Sequence, residues 1–192
     1  MNAPLRMRRK NAFNLLREAE KLMSFDEFPL LRSDVDPQLH ASRNEIDQPF
    51  HVVCAKDCVV VQISGKARIT FAAGAVRYFD LEPGDHIYVP AGSVHRILTV
   101  EKGIQIRYKA RDPGHERVMW LCDSCGHHVG HHEFDATSAP AQAGYHAAVE
   151  SYNSDPKNRT CEACGHEHAP FDLSAVRWDQ VAQMLLERDE DE

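Results

Sequence analysis

The chain has no apolar run approaching the ~18 residues of a membrane span. It is short of positive charge: 22 Lys and Arg stand against 29 Asp and Glu, a net charge of −7. That balance excludes the basic surface of a nucleic-acid binder. Arg6, Arg8, Arg9 and Lys10 open the chain, but no apolar block of a signal peptide follows them. A soluble, cytoplasmic protein is expected, without a membrane or nucleic-acid partner. Internal repeats are missing, and so are helical crossovers between strand-like segments, which excludes a parallel sheet. At 192 residues the chain can hold one good core, or one domain with a small appendage. Its six cysteines, in a reducing compartment, suggest metal or catalysis before disulfides.

What is present falls into three stretches. In 1–50, Phe13, Leu16, Ala19, Leu22 and Met23 recur at helical spacing, which predicts an amphipathic helix over 12–23. The proline-containing remainder, 24–49, reads as loop and short strand. In 51–112 the texture is β: short strands are expected at 59–63, 66–71 and 76–81, within 83–95, and at 96–100 and 104–108, separated by turn signals. Such spacing suggests a sandwich or a closed barrel. Arg111-Asp112-Pro113-Gly114 reads as a boundary, and 113–192 is a Cys- and His-rich region followed by a helix over 172–188 and a solvated tail.

Two constellations carry chemistry. Cys122-x2-Cys125-Gly-His and Cys161-x2-Cys164-Gly-His are paired knuckles, each bringing two thiolates together from one tight turn. Together they complete a tetrahedral four-sulfur site for iron or zinc. Such a site has no open coordination position, so its default role is structural. His127, His128, His131 and His132 read as exposed or supporting groups, because four cysteines already fill the coordination shell.

The second constellation is Pro83-Gly84-Asp85 through Pro90-Ala91-Gly92 to His95, a turn, strand, turn and strand that deliver an imidazole at a strand entrance. Its spacing resembles the second motif of the cupin barrels, a mainly β, double-stranded β-helix (jelly-roll) fold. In a cupin's first motif a glutamate is set by its spacing to a following glycine. Here that glycine is Gly65 and Cys58 stands in the glutamate's place, with His51, Cys54 and Asp57 nearby. Two ligand sets stay open. His51, Asp57 and His95 form a two-His-one-carboxylate triad suited to Fe(II). The other set recruits Cys58, with Cys54, in a softer site suited to zinc. Asp57 and Cys58 point to opposite faces if both lie in the strand. A barrel that has lost its metal, with both cysteines as buried apolar residues, is the plain alternative.

A cupin barrel preceded by a short helix and followed by Trp120-x-Cys122-x2-Cys125-Gly-His and Cys161-x2-Cys164-Gly resembles the bacterial 3-hydroxyanthranilate 3,4-dioxygenases. The resemblance covers most of the chain. It implies a non-haem Fe(II) dioxygenase taking a small substrate and O2, a rubredoxin-like iron on the four cysteines, and a homodimer. It carries the histidine ligands onto His51 and His95, and the carboxylate onto Asp57 or Cys58, making these the catalytic candidates. The family's two substrate arginines fall on Asp47 and Thr99, and its substrate glutamate falls near Arg107-Tyr108, where there is no acid. Asp and Thr cannot reproduce a bidentate carboxylate clamp, so the expected substrate is a small, possibly aromatic molecule other than 3-hydroxyanthranilate. Two other readings stand beside this one: a non-oxidative zinc or nickel cupin (isomerase, lyase or condensation catalyst), and a small-molecule-binding cupin without turnover.

Overall fold

Strand alternation decides which side chains meet between two sheets. The computed structural model describes residues 7–189. In chain order the elements are α1 (Leu15–Ala19), β1 (Phe28–Pro29), β2 (Gln38–Asn44), β3 (His51–Val53), β4 (Cys58–Gln62), β5 (Lys66–Phe71), β6 (Tyr78–Leu81), β7 (His86–Val89), β8 (His95–Glu101), β9 (Gly103–Lys109), β10 (His115–Leu121), β11 (His128–Asp135), α2 (Ala141–Ser154) and α3 (Trp178–Asp189). All strand pairs are antiparallel. One sheet has the order β1-β2-β9-β4-β7 and the other β11-β10-β3-β8-β5-β6. The result is the mainly β jelly-roll barrel that the sequence leads one to expect. Strands from all three stretches of the chain share its sheets.

Val52, Val60, Ile69, Ile97 and Val118 are fully buried between the sheets. The first sheet is buried on its outer face as well. There Leu39, Ala41, Val61 and Ile106 pack with Met7, Phe28 and Leu30 and with Val181 and Leu185 of α3. The turn between β4 and β5 touches the start of β9 so closely that a Cβ on Gly103 would lie 1.8 Å from the Ser64 carbonyl oxygen. Only glycine fits there.

Phe25-Asp26-Glu27 forms a buried plug. Phe25 and Glu27 hold left-handed backbone (φ 53° and 43°), an uncommon state for non-glycine residues. Ser42 Oγ accepts from the Glu27 N–H at 2.9 Å, and Asn44 Oδ1 accepts from the Phe25 N–H at 3.0 Å. The two plug carboxylates find different partners. Arg177 donates to Asp26 at 2.7 Å, and Glu27 meets Arg107 inside the barrel.

The sequence-level boundaries shift in three places. The helix expected over 12–23 is one short turn, α1, after which the chain bends into the plug. The helix expected over 172–188 is a 3-10 turn at Leu173–Ala175 followed by α3. The Cys- and His-rich region contributes two full strands, β10 and β11, and the 14-residue helix α2. Of the expected tail, 190–192 lie outside the described residues.

Candidate functional site

The two knuckles repeat one local geometry. The Cys122 N–H donates to the His127 carbonyl (2.8 Å) and Gly126 N–H to the Cys122 carbonyl (2.7 Å). Cys161, His166 and Gly165 repeat this at 2.9 and 2.8 Å. Gly126 and Gly165 have φ of 74° and 73°, the left-handed state that glycine adopts without cost. All four Sγ atoms lie within 4.8 Å of one another, with Cys122–Cys164 at 3.7 Å and Cys125–Cys161 at 3.6 Å. A tetrahedral site with ~2.3 Å metal–sulfur bonds has sulfur–sulfur edges of about 3.8 Å, so the four cysteines fit a metal ion. Cys161 illustrates the electrostatics. Burial opposes its ionisation, but the N–H groups of Cys164 and Ala163, with the neighbouring thiols, outweigh that and hold it at about 7. Among the described residues this is the one place where three or more His, Cys, Asp or Glu donors converge.

The barrel candidates do not converge. His95 opens β8, fully buried, and its direct cross-strand partner is Val52 of β3. Side chains of paired residues share a face, and neighbours along a strand do not. His95 therefore points inward with Val52, and His51 points out the other way. His51 lies in a cleft of about 230 Å³ with Phe50, Arg96, Trp120, Tyr152 and His168. Burial first, and Arg96 second, push it down to about 4. Asp57 is exposed in the loop before β4, where its Oδ1 accepts from the Ala91 N–H at 2.8 Å. Its role is to pin the Pro90-Ala91-Gly92 turn. Cys58 faces inward, as the count from Gly65 suggests, on the same face of β4 as Val60. The Cys54 thiol bonds to it and, with Arg107 and Lys109, holds it at about 7 against the effect of burial.

A cation occupies the position where a metal would meet His95. The imidazole Nδ1 lies 3.0 Å from the Ser93 carbonyl oxygen, which can only accept, so Nδ1 carries the proton. Nε2 is then the acceptor, and Arg107 Nη1 donates to it at 2.9 Å. Burial and the Arg107 charge push His95 down to about 3. The lone pair that would bind a metal is already engaged. Arg107 Nη1 is also 3.9 Å from Cys54 Sγ, and Arg107 Nε is 3.4 Å from Glu27. Beside it Lys109 pairs with Glu116 at 2.5 Å, and the Tyr145 hydroxyl lies 3.3 Å from Glu27 and 3.5 Å from Glu116. Two cations and two carboxylates thus neutralise one another in a dry interior. Burial disfavours charge on Lys109, but Glu116 more than compensates and its pKa rises. As arranged, the residues around His95 do not fit an iron ion.

Arg107 belongs to no motif in the sequence, and arginines on strands are usually solvated. Its strand nevertheless carries a signal. On β9 the apolar Ile104 and Ile106 alternate with Gln105, Arg107 and Lys109, so one whole face of the strand is polar. Both faces are buried here, and the polar face is the inner one.

No family model matches the chain. It is similar to a protein named 3-hydroxyanthranilate 3,4-dioxygenase from Bacillus cereus, at 29 % identity over 122 residues, 61 % of this chain and 66 % of that one. A protein of the same name from Podospora anserina is 29 % identical over 87 residues, 44 % of this chain and 46 % of its own length. The chain thus spans just under two thirds of the bacterial relative and less than half of the fungal one. Among solved structures it is similar to a hydroquinone 1,2-dioxygenase from a Sphingomonas species with 4-hydroxybenzoate bound, at 12 % identity and a TM-score of 0.41, covering 54 % of this chain and 81 % of that one. A cupin-2 domain containing protein from Shewanella frigidimarina has 18 % identity and a TM-score of 0.42, covering 50 % and 91 %.

Proposed function

We propose that the protein is a dioxygenase-like cupin that binds a small molecule other than 3-hydroxyanthranilate and holds its resident metal, iron or zinc, on Cys122, Cys125, Cys161 and Cys164 rather than on His95. The observation that carries this reading is the Arg107–His95 hydrogen bond, with Val52 across the strand where a second ligand would be needed. A metal at Nε2 would have to displace a guanidinium and strand Glu27 without its partner. Asp47 and Thr99 support the change of ligand. Asp47 accepts from the Thr99 N–H at 2.7 Å and Thr99 donates to the Ile46 carbonyl at 2.7 Å, so both are absorbed in backbone contacts. Neither is left to grip a carboxylate.

The similarity to named dioxygenases favours a second reading, an Fe(II) enzyme that consumes O2. Metal content separates the two. Under the first reading the purified protein holds one metal ion per chain, lost from Cys122→Ser and kept by His95→Ala and His51→Ala. Two irons per chain, one of them lost with His95→Ala, together with oxygen uptake on aminophenols or catechols, would establish the second reading and overturn the first.

A further inference from the structure

A cavity of about 240 Å³ opens where β2 and β9 meet the turn before α2 and the side of α3. Arg9, Lys109 and Arg111 line it, and among the described residues no lining side chain carries a carboxylate, in a protein whose net charge is −7. The acids just behind the lining are engaged. Asp36 accepts from the Arg111 N–H at 3.0 Å, Asp112 from the Thr137 hydroxyl at 2.5 Å, and Asp135 from the Thr137 N–H at 3.0 Å. Lys109 is balanced by Glu116 at 2.5 Å. Arg9 and Arg111 take part in no ion pair among the described residues. His40, which also lines the cavity, is held down at about 4 by burial and Lys109, so it is neutral near pH 6.

The first turn of α2 also faces this cavity. Its cap is Pro140, which offers no side-chain hydrogen bond, and its first turn holds no acidic residue. The Ala143 N–H bonds to the Pro140 carbonyl at 2.9 Å, which leaves the Ala141 and Gln142 N–H groups for a ligand, with the positive end of a 14-residue helix's dipole behind them.

An independent observation comes from Gln38, which lines the cavity and is 5 % exposed. Its Nε2 donates to the carbonyls of Arg32 (2.7 Å) and Val35 (2.6 Å), which fixes the orientation of the amide. Its Oε1 is left buried with no donor. A buried acceptor without a partner is costly, and among positive groups it selects an anion that itself carries a hydrogen.

We propose that this cavity binds a small phosphate-bearing anion as the monoanion, which keeps an O–H, with its oxygens on Arg9, Arg111 and the Ala141 and Gln142 N–H groups and its O–H donating to Gln38 Oε1. Sulfate and ionised carboxylates bring negative oxygens but no donor. Pro29 and Leu185 form an apolar wall able to take an organic substituent. The site is separate from His95 and from the four cysteines, so the metal count does not bear on it.

Isothermal titration of the purified protein at pH 6 and fixed ionic strength, with inorganic phosphate, phenyl phosphate and sulfate, tests this. Both phosphates should bind, with sulfate weaker by about tenfold or more, and Arg9→Ala or Arg111→Ala should each weaken phosphate by about tenfold. Tighter phenyl phosphate would identify a phosphate ester as the natural ligand, and tighter inorganic phosphate the free anion; either supports the proposal. Sulfate binding as well as phosphate, no phosphate heat up to about 10 mM, or affinity unchanged in both arginine variants would overturn it. The sulfate comparison uses the unaltered protein and stands even if a variant misfolds.

Discussion

Arg107 shows how much one residue can decide. Its guanidinium holds Glu27, touches Cys54 and fills the acceptor of His95. Truncating one partner of a buried pair leaves the other charge uncompensated, so Arg107→Met should cost about 3–5 kcal/mol. Adding Glu27→Gln should recover a large part of that loss. Urea midpoints of the two single variants and the double variant check this coupling; strictly additive losses would mean that the pair does not act as one unit. The sequence makes His95, Cys58 and the four knuckle cysteines legible because turns and short spacings announce them. It does not make the Arg107–Glu27 pair legible, because the two lie 80 positions apart and meet only when the plug enters the barrel. The face of His51 is not legible either: Val52 sits opposite His95, and a one-residue offset exchanges the two faces of a strand.

At the scale of elements, alternation is readable only where a strand has one dry face and one wet face. β5 does, and the sequence gives its limits, Lys66–Phe71, without error. β2 is buried on both sides, with Gln38, Ser42 and Asn44 facing in and Leu39 and Ala41 facing out, so its pattern reads as loop. α2 escapes detection because Gln142, Tyr145, Ala148, Val149 and Tyr152 form its buried stripe, and small and polar residues dilute the usual signal. The contact between the β4–β5 turn and β9 permits a sharp prediction. Gly103→Ala drives a methyl group into the Ser64 carbonyl and should destabilise by roughly 3 kcal/mol or more. Gly130→Ala, whose nearest neighbour would be 3.8 Å away, should shift stability by less than about 1 kcal/mol. Thermal unfolding of the pair, at equal metal content, gives the comparison. Equal midpoints would show that β9 can move aside.

At the scale of the whole molecule, acid should act through the histidines. His40, His51 and His95 sit at about 4, about 4 and about 3 in the folded state, against an ordinary value of 6.5. Between those limits the unfolded chain binds protons that the folded chain refuses, so stability is full above pH 6.5 and falls as pH drops toward 4. Each imidazole contributes about 1–2 kcal/mol by pH 5, roughly 4 kcal/mol in sum. Urea midpoints at pH 7 and pH 5 should differ accordingly, and a flat profile over that range would contradict the buried, neutral assignment of all three rings. The plug has a consequence of another kind, in the order of synthesis. Asp26 leaves the ribosome 151 residues before Arg177, and the Phe25 carbonyl waits 153 residues for the Trp178 indole N–H, which reaches it at 2.8 Å. Every strand of both sheets is made before the chain segment that supplies these last two contacts to the plug. A nascent barrel can therefore close its sheets while the plug is held by Ser42, Asn44 and Arg107 and still lacks its contacts to Arg177 and Trp178. The fastening of the plug is complete only when the C-terminal helix has emerged.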